Sequence, residues 1–195
     1  GAAKQFSDAI IITLGTGLGS GLIVNNEIIY GNDGFAGELG HLVIDRNGRQ
    51  CNCGLKGCLE MYVSAKGLEY TIKELMNDYP NNKFLNTLND KKENGKRIDK
   101  AFDNNEKLAL EIYKFTGCYL GQGLAMAATI LSPEAFIFYG GLSNAGHRIL
   151  DHAEKSMNDH LPLYLKKNNI KILQSKLSDG EAGIVGASCL NKIQN

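Results

Sequence analysis

The chain has no net charge, no long apolar run and no basic run beside its cysteines, and each absence excludes something. Lys and Arg together number 21, as do Asp and Glu, so the electrostatic footprint of a nucleic-acid binder is missing from the total. A generic zinc-ribbon module for nucleic acid is disfavoured on the same ground. No stretch approaches the roughly 20 apolar residues that span a bilayer, and nothing at the N-terminus reads as a secretory signal. A cytoplasmic location and no membrane partner are therefore expected. The Gly-Lys-Ser/Thr ending of a Walker A loop is absent too.

What remains is ordinary globular material. Apolar residues make up 43% and charged residues 22%, enough for one sizeable domain or one lobe of a two-lobed enzyme. Five cysteines is an odd count. Cys51, Cys53 and Cys58 crowd together, a spacing that suits a metal rather than a disulfide framework and implies a reducing compartment. Cys118 and Cys189 stand alone in apolar stretches and read as small core residues.

Ala9–Leu14 is a β-branched run that stops at a glycine cluster. Leu22–Val24 and Ile28–Tyr30 follow, separated by Asn25, Asn26 and Glu27, which reads as a hairpin. Residues 31–60 are glycine-rich without a period, as in a shaped loop. Ser64 to about Asp78 has helical spacing and is closed by Pro80. Residues 81–100 read as a polar surface connection with room for one short helix. A long helix is expected from Asp103 to about Leu131, opened by a capping box at Asp103-x-x-Glu106. Within it, Gly117, Gly121, Gly123 and Ala125 would let another backbone approach. Ala135–Tyr139 is a buried-type strand, followed by a helix to about His160, a strand at Ile170–Leu173 and a final helix from Asp179. Three meander strands followed by alternating helices and strands make an α/β fold, a mixed sheet with helices. The order is that of one lobe of the actin-like (ribonuclease H-like) ATPase fold. With no internal repeat and no linker, residues 1–195 read as a single domain with a metal-binding insertion at about 38–62.

Three groups of residues carry chemistry. Gly15, Gly17, Gly19 and Gly21 alternate through a strand-to-strand turn, with Thr16 between the first two. Amides bare of side chains, beside a hydroxyl, can hold phosphate oxygens; the spacing alone fits a ligand-free hairpin equally well. Gly140-Gly141, directly after a buried strand, offers room for a flat ligand against the backbone, although an ordinary strand-to-helix turn has the same residues. The third group is His41, Cys51, Cys53 and Cys58, in the pattern His-x9-Cys-x-Cys-x4-Cys. Three thiolates and an imidazole complete a tetrahedral zinc set, closed and therefore structural. An iron–sulfur cluster normally takes four cysteines. Glu38 and Glu60 flank this set and are suited to accept hydrogen bonds from sugar hydroxyls. His41 has one ring nitrogen for the metal and one for a hydroxyl. From spacing alone the two carboxylates fit solvated surface acids as well.

These motifs together resemble the ROK family of repressors, uncharacterised reading frames and kinases. The resemblance rests on Gly15-x-Gly17-x-Gly19-x-Gly21, Gly31-x-x-Gly34-x-Ala36-Gly37-Glu38-x-Gly40-His41 and Cys51-x-Cys53-Gly54-x-x-Gly57-Cys58-x-Glu60. Phe138–Gly146 and Glu181–Ala187 resemble later segments of the family. The resemblance implies two actin-like lobes and transfer of the γ-phosphoryl group of MgATP to a hexose. It places Glu38, His41 and Glu60 on the sugar, and His41, Cys51, Cys53 and Cys58 on zinc. Gly15, Thr16, Gly17, Gly19, Gly140 and Gly141 fall at the ATP-binding positions. Glucose is the favoured hexose, because Phe35–His41 resembles the glucokinases of the family. Fructose, an N-acetylhexosamine, or a sugar-sensing role in a repressor are the alternatives, and a homo-oligomer is expected for the full-length protein. Two family motifs have no counterpart here: the N-terminal Asp-x-Gly-x-Thr and the Asn-Asp pair that supplies the general base. The resemblance therefore implies a C-terminal fragment that begins after the catalytic aspartate and is inactive alone.

Overall fold

The first two apolar runs form strands β1 (Ala9–Leu14) and β2 (Leu18–Val24). They pair antiparallel with Leu14 opposite Leu18, so Gly15, Thr16 and Gly17 make the loop between them. Strand β3 (Glu27–Ile29) comes directly after Asn25 and Asn26. Those asparagines have φ angles of 53° and 65°, the values of a two-residue type I′ turn whose twist matches that of the strands. The expected hairpin is present, with its second strand starting one residue earlier than the sequence suggests. The computed structural model describes residues 2–88, 93–175 and 177.

A long loop leads to helices α1 (Glu60–Val63) and α2 (Ala65–Asp78). Ser64 separates them and caps α2, its Oγ accepting from the Gly67 amide at 3.1 Å. Next come α3 (Asn94–Asp103) and the long α4 (Lys107–Leu131). The polar stretch before residue 103 holds the one helix that the sequence left room for, ten residues long and running three residues past the expected end of the connection. One expectation is corrected here. Asp103 closes that helix rather than opening α4, which begins only after the chain reverses at Asn105 (φ 59°). The cap of α4 is Glu106, which accepts from the Leu108 amide. The Asp103 carboxylate instead takes two bonds from Arg148, at 2.6 and 2.9 Å. That pairing, not a helix cap, is what holds its pKa below the usual carboxylate range.

Strand β4 (Ala135–Tyr139), helix α5 (His147–His160) and strand β5 (Lys171–Gln174) complete the described order. The helix expected from Asp179, the Glu181–Ala187 segment and Cys189 lie outside the described residues. The sheet runs β3-β2-β1-β4-β5, with β1 parallel to β4 and β4 parallel to β5. This is the mixed α/β sheet of an actin-like ATPase lobe.

Alternation along the strands divides the core. Ile10, Ile12, Leu14, Phe136 and Phe138 face the helices, while Ala9, Ala135 and Ile137 meet Phe6 on the opposite face. Helix α5 lies close on α4 because Gly117 and Gly121 make room. A Cβ on Gly117 would stand 2.7 Å from the Ile149 carbonyl oxygen, and one on Gly121 2.6 Å from the Met157 amide nitrogen. Gly123 admits a side chain rather than a backbone: that of Leu59, which ties α4 to the residues just before α1. Cys118 is half-buried on α4, and its carbonyl accepts from Ser156 at 2.7 Å. No helix among the described residues is long and apolar enough to cross a membrane.

Candidate functional site

The glycine-rich stretch between β3 and α1 is built by short backbone bonds rather than regular structure. Cys51 N–H donates to the Leu55 carbonyl at 2.8 Å, Gly57 N–H to Arg49 at 2.8 Å, and Leu59 N–H to Leu42 at 2.8 Å. Isolated bridges pair Val43 with Cys58 and Gln50 with Lys56. These bonds bring His41, Cys51, Cys53 and Cys58 together, their ligand atoms all within 4.8 Å of one another. The His41 Nδ1 to Cys51 Sγ distance is 3.7 Å, and Cys53 and Cys58 have their sulfurs 3.5 Å apart. A tetrahedral zinc with its ordinary Zn–S and Zn–N bonds has ligand-to-ligand edges of about 3.5–3.8 Å. The quartet's donor set therefore suits such an ion, and these two edges match its size. Burial pushes the Cys58 thiol up to about 12 and also raises Cys51, while the Leu55 backbone amide lowers Cys53. A bound cation would offset that burial cost for the Cys51 and Cys58 thiolates.

Arg49 anchors this loop to the body of the protein, and the sequence reading missed it. All five of its N–H donors are used. Nη1 donates to the carbonyls of Met61 (2.7 Å) and Gly67 (3.0 Å). Nη2 reaches Thr71 Oγ1 (2.9 Å) and Glu74 (2.5 Å), and Nε reaches Glu74 at 2.9 Å. The guanidinium lies 4.7 Å from the centroid of the Tyr62 ring, which stacks in turn on Tyr119 at 4.2 Å. The run of charged and glycine residues around Arg49 gives no local hint of this, because its partners all lie in α1 and α2.

The carboxylates flank the imidazole on both sides. Glu38 Oε2 is 3.9 Å from Nε2 of His41, and Glu60 Oε1 is 3.9 Å from Nδ1. Glu60 Oε1 also accepts from Cys51 Sγ at 3.2 Å. With Nδ1 turned toward the thiols, Nε2 is left on the Glu38 side.

Two cavities meet at the glycine loop. The smaller, about 410 Å³, is walled by Gly15, Thr16, Gly17, Gly19, Gly140 and Glu60 together with Thr13, Leu18 and Tyr139. The larger, about 590 Å³, starts at Gly15 and Gly141 and extends between α2, α3 and the segment before α5. Gly140, at φ 103°, lies against the end of β1, where a Cβ would stand 2.6 Å from the Leu14 carbonyl oxygen. The two glycine segments singled out in the sequence thus share one wall. Of the three proposed sugar residues, Glu60 reaches that wall, whereas His41 adjoins Glu60 and Glu38 lies beyond His41.

The larger cavity holds two residues that the sequence reading did not single out. Tyr113 donates its hydroxyl to Asp99 Oδ1 at 2.7 Å, and Arg148 stands 3.8 Å from the same oxygen. Burial and the Asp99 bond hold Tyr113 far above the usual tyrosine range, so it stays a donor at every ordinary pH. The result is a fixed carboxylate in a cavity whose lining mixes Leu68, Ile72 and Leu142 with Glu69, Lys96, Asn94 and Asn144. The signal that could have found it was the amphipathic pattern of α3.

The chain matches the model of the ROK family over residues 1–194. A glucokinase from Halalkalibacterium halodurans is 32% identical over 100% of this chain and 59% of that protein. The DNA-binding transcriptional dual regulator NagC of Escherichia coli K12 is 28% identical over 98% of this chain and 46% of the regulator. The crystal structure of a ROK family glucokinase from Streptomyces griseus, in complex with glucose and AMPPNP, is similar with a TM-score of 0.85. It is 35% identical and is covered over 62% of its length by 97% of this chain. This chain spans about three fifths of the curated glucokinases it matches. With all but one residue covered by the family model and the fold shared with a member, the chain belongs to the ROK family.

Proposed function

We propose that these residues form the zinc-carrying C-terminal half of an ATP-dependent hexose kinase with glucose as the favoured acceptor. The observation that carries this reading is the smaller cavity. It sets the Glu60 carboxylate beside the glycine loop with the Thr16 hydroxyl in the same lining, so one space offers acceptors for sugar hydroxyls and donors for phosphate oxygens. The larger cavity takes the nucleoside, with Asp99 as a fixed acceptor for its hydroxyls. Glu38, His41 and Glu60 hold the sugar, and Gly15, Thr16, Gly17, Gly19, Gly140 and Gly141 face the MgATP phosphates. On this reading residues 1–195 are one lobe with a zinc insertion at 38–62.

His41, Cys51, Cys53 and Cys58 would hold zinc, which supplies no reaction chemistry in a closed set but braces the sugar-binding loop. What the protein residues do is position. Phosphoryl transfer needs hydroxyl, base and phosphates held in line, and most of the catalysis is that alignment. None of the carboxylates here is assigned as the base, which the reading places upstream of Gly1.

Glu60→Ala in the full-length protein is expected to weaken glucose binding about 10- to 150-fold, the worth of one hydrogen bond to a charged group. Titration calorimetry checks it, and unchanged affinity in both Glu38→Ala and Glu60→Ala overturns the sugar assignment. Sugar binding without any nucleotide binding would instead favour the regulator branch represented by NagC. A second expectation concerns turnover. The 195 residues alone should not phosphorylate glucose with MgATP in a coupled assay, while the longer protein should. Equal rates in both would remove the upstream base from the mechanism.

A further inference from the structure

Gly17 belongs by sequence to the phosphate loop, yet its α-carbon lies under a sugar-site carboxylate. A Cβ built there would stand 2.8 Å from Glu60 Oε2, the one heavy atom it meets within 4 Å. We propose that Gly17 is a positioning residue for the sugar site, its missing side chain leaving the space in which the Glu60 carboxylate sits. The inference rests on the reading of Glu60 as a hexose ligand.

Three observations make the coupling specific. First, Gly17 is held in place: Leu18 pairs with Leu14 next to it, and its carbonyl accepts from the Gly15 amide at 3.0 Å. The loop therefore does not yield readily. Second, Gly17 is not among the residues with positive φ, so alanine is allowed by the backbone, and any effect is steric. Third, Glu60 is hemmed on its other oxygen by Cys51 Sγ at 3.2 Å and by the His41 ring at 3.9 Å. A methyl group on Gly17 pushes the carboxylate out of its place, because retreat toward the metal quartet is blocked. The displaced atom is the tip of a flexible side chain, so the fold loses little while the site loses its acceptor. This makes the first hairpin a shared wall: one residue serves phosphate on its amide side and sugar through Glu60.

The test is a double-mutant cycle on the full-length protein, read by calorimetry with glucose and, separately, with a nonhydrolysable ATP analogue. Gly17→Ala is expected to keep the wild-type unfolding midpoint and to weaken glucose about ten- to hundredfold, a loss exceeding any change for the nucleotide. Added to Glu60→Ala, the same substitution should cost nothing further. In Glu60→Asp, whose carboxylate is drawn back by one methylene, its effect should shrink. Gly21→Ala, at a glycine with open space around it, should leave glucose affinity unchanged. If Glu60→Ala binds glucose as wild type does, the sugar reading itself fails. If Glu60→Ala is weakened but Gly17→Ala is not, or costs the same factor in both backgrounds, only the positioning role fails. A Gly17→Ala protein that does not fold would show that the loop yields rather than the carboxylate, and would likewise overturn it.

Discussion

Cys58→Ser is expected to abolish the zinc binding proposed for this quartet and, with it, the order of residues 38–62. Cys58 is wholly buried, with Leu59 and Met61 beside it in the core. The loop it closes has no strand or α-helix of its own, only a short 3-10 turn at Leu39–His41 and two isolated bridges. Apart from the Arg49 anchor and a few backbone bonds, the four ligands are what opposes the conformational entropy of so long a loop. Structural zinc sites of this composition carry apparent binding free energies of about 10–16 kcal/mol in small peptides. Losing one of four ligands forfeits a large part of that. Elemental analysis should find about one equivalent of zinc per wild-type chain and far less in the variant. Limited proteolysis should then cut within 38–62. One equivalent retained in Cys58→Ser, with no new cleavage, contradicts the assignment of these ligands. Because the Leu59 side chain fills the space at Gly123 of α4, the disorder should also reach the α1–α4 contact and lower the unfolding midpoint.

Arg49→Ala is the second large effect, expected to destabilise the protein by about 3 kcal/mol. An exposed Arg–Glu pair contributes well under that, and Glu74 is half exposed. The difference lies in the rest of the environment. The Arg49 side chain is only 9% exposed and donates to two backbone carbonyls in addition to Thr71. Its removal takes a donor from the Met61 carbonyl, leaves the Gly67 carbonyl to Thr71 Oγ1 as its side-chain donor, and strips the face of Tyr62. Arg49→Lys should recover little, since an ammonium cannot supply five donors in a planar fork. Urea unfolding of the two variants measures both effects. A loss below about 1 kcal/mol for Arg49→Ala would place it among ordinary surface pairs.

The local features of this protein could be read from the chain because their causes are local. The β-branched run at Ala9–Leu14 and the alternation of strands and helices depend on neighbours a few residues apart, as does the asparagine turn at Asn25-Asn26. The His41, Cys51, Cys53 and Cys58 set lies within eighteen residues, and its composition alone names the metals it suits. Even so, the bounds of α3 were not legible in its polar composition, since one fully buried apolar residue, Ile98, anchors it. The Asp103-x-x-Glu106 spacing imitated a cap that the reversal at Asn105 dissolves.

What the chain by itself determined, then, is the order of the strands and main helices among the described residues, the glycine turns and the make-up of the His/Cys cluster, each governed by local propensity or by side chains close in sequence. Tertiary structure alone decided which distant side chains meet. Arg49 finds its donors' partners twelve to twenty-five residues away, and Asp103 finds Arg148 across forty-five. Glu60 reaches the α-carbon of Gly17 only because the sheet carries the first hairpin beneath α1. Such pairings depend on how packed elements are oriented, and no periodicity or spacing in the sequence records that orientation.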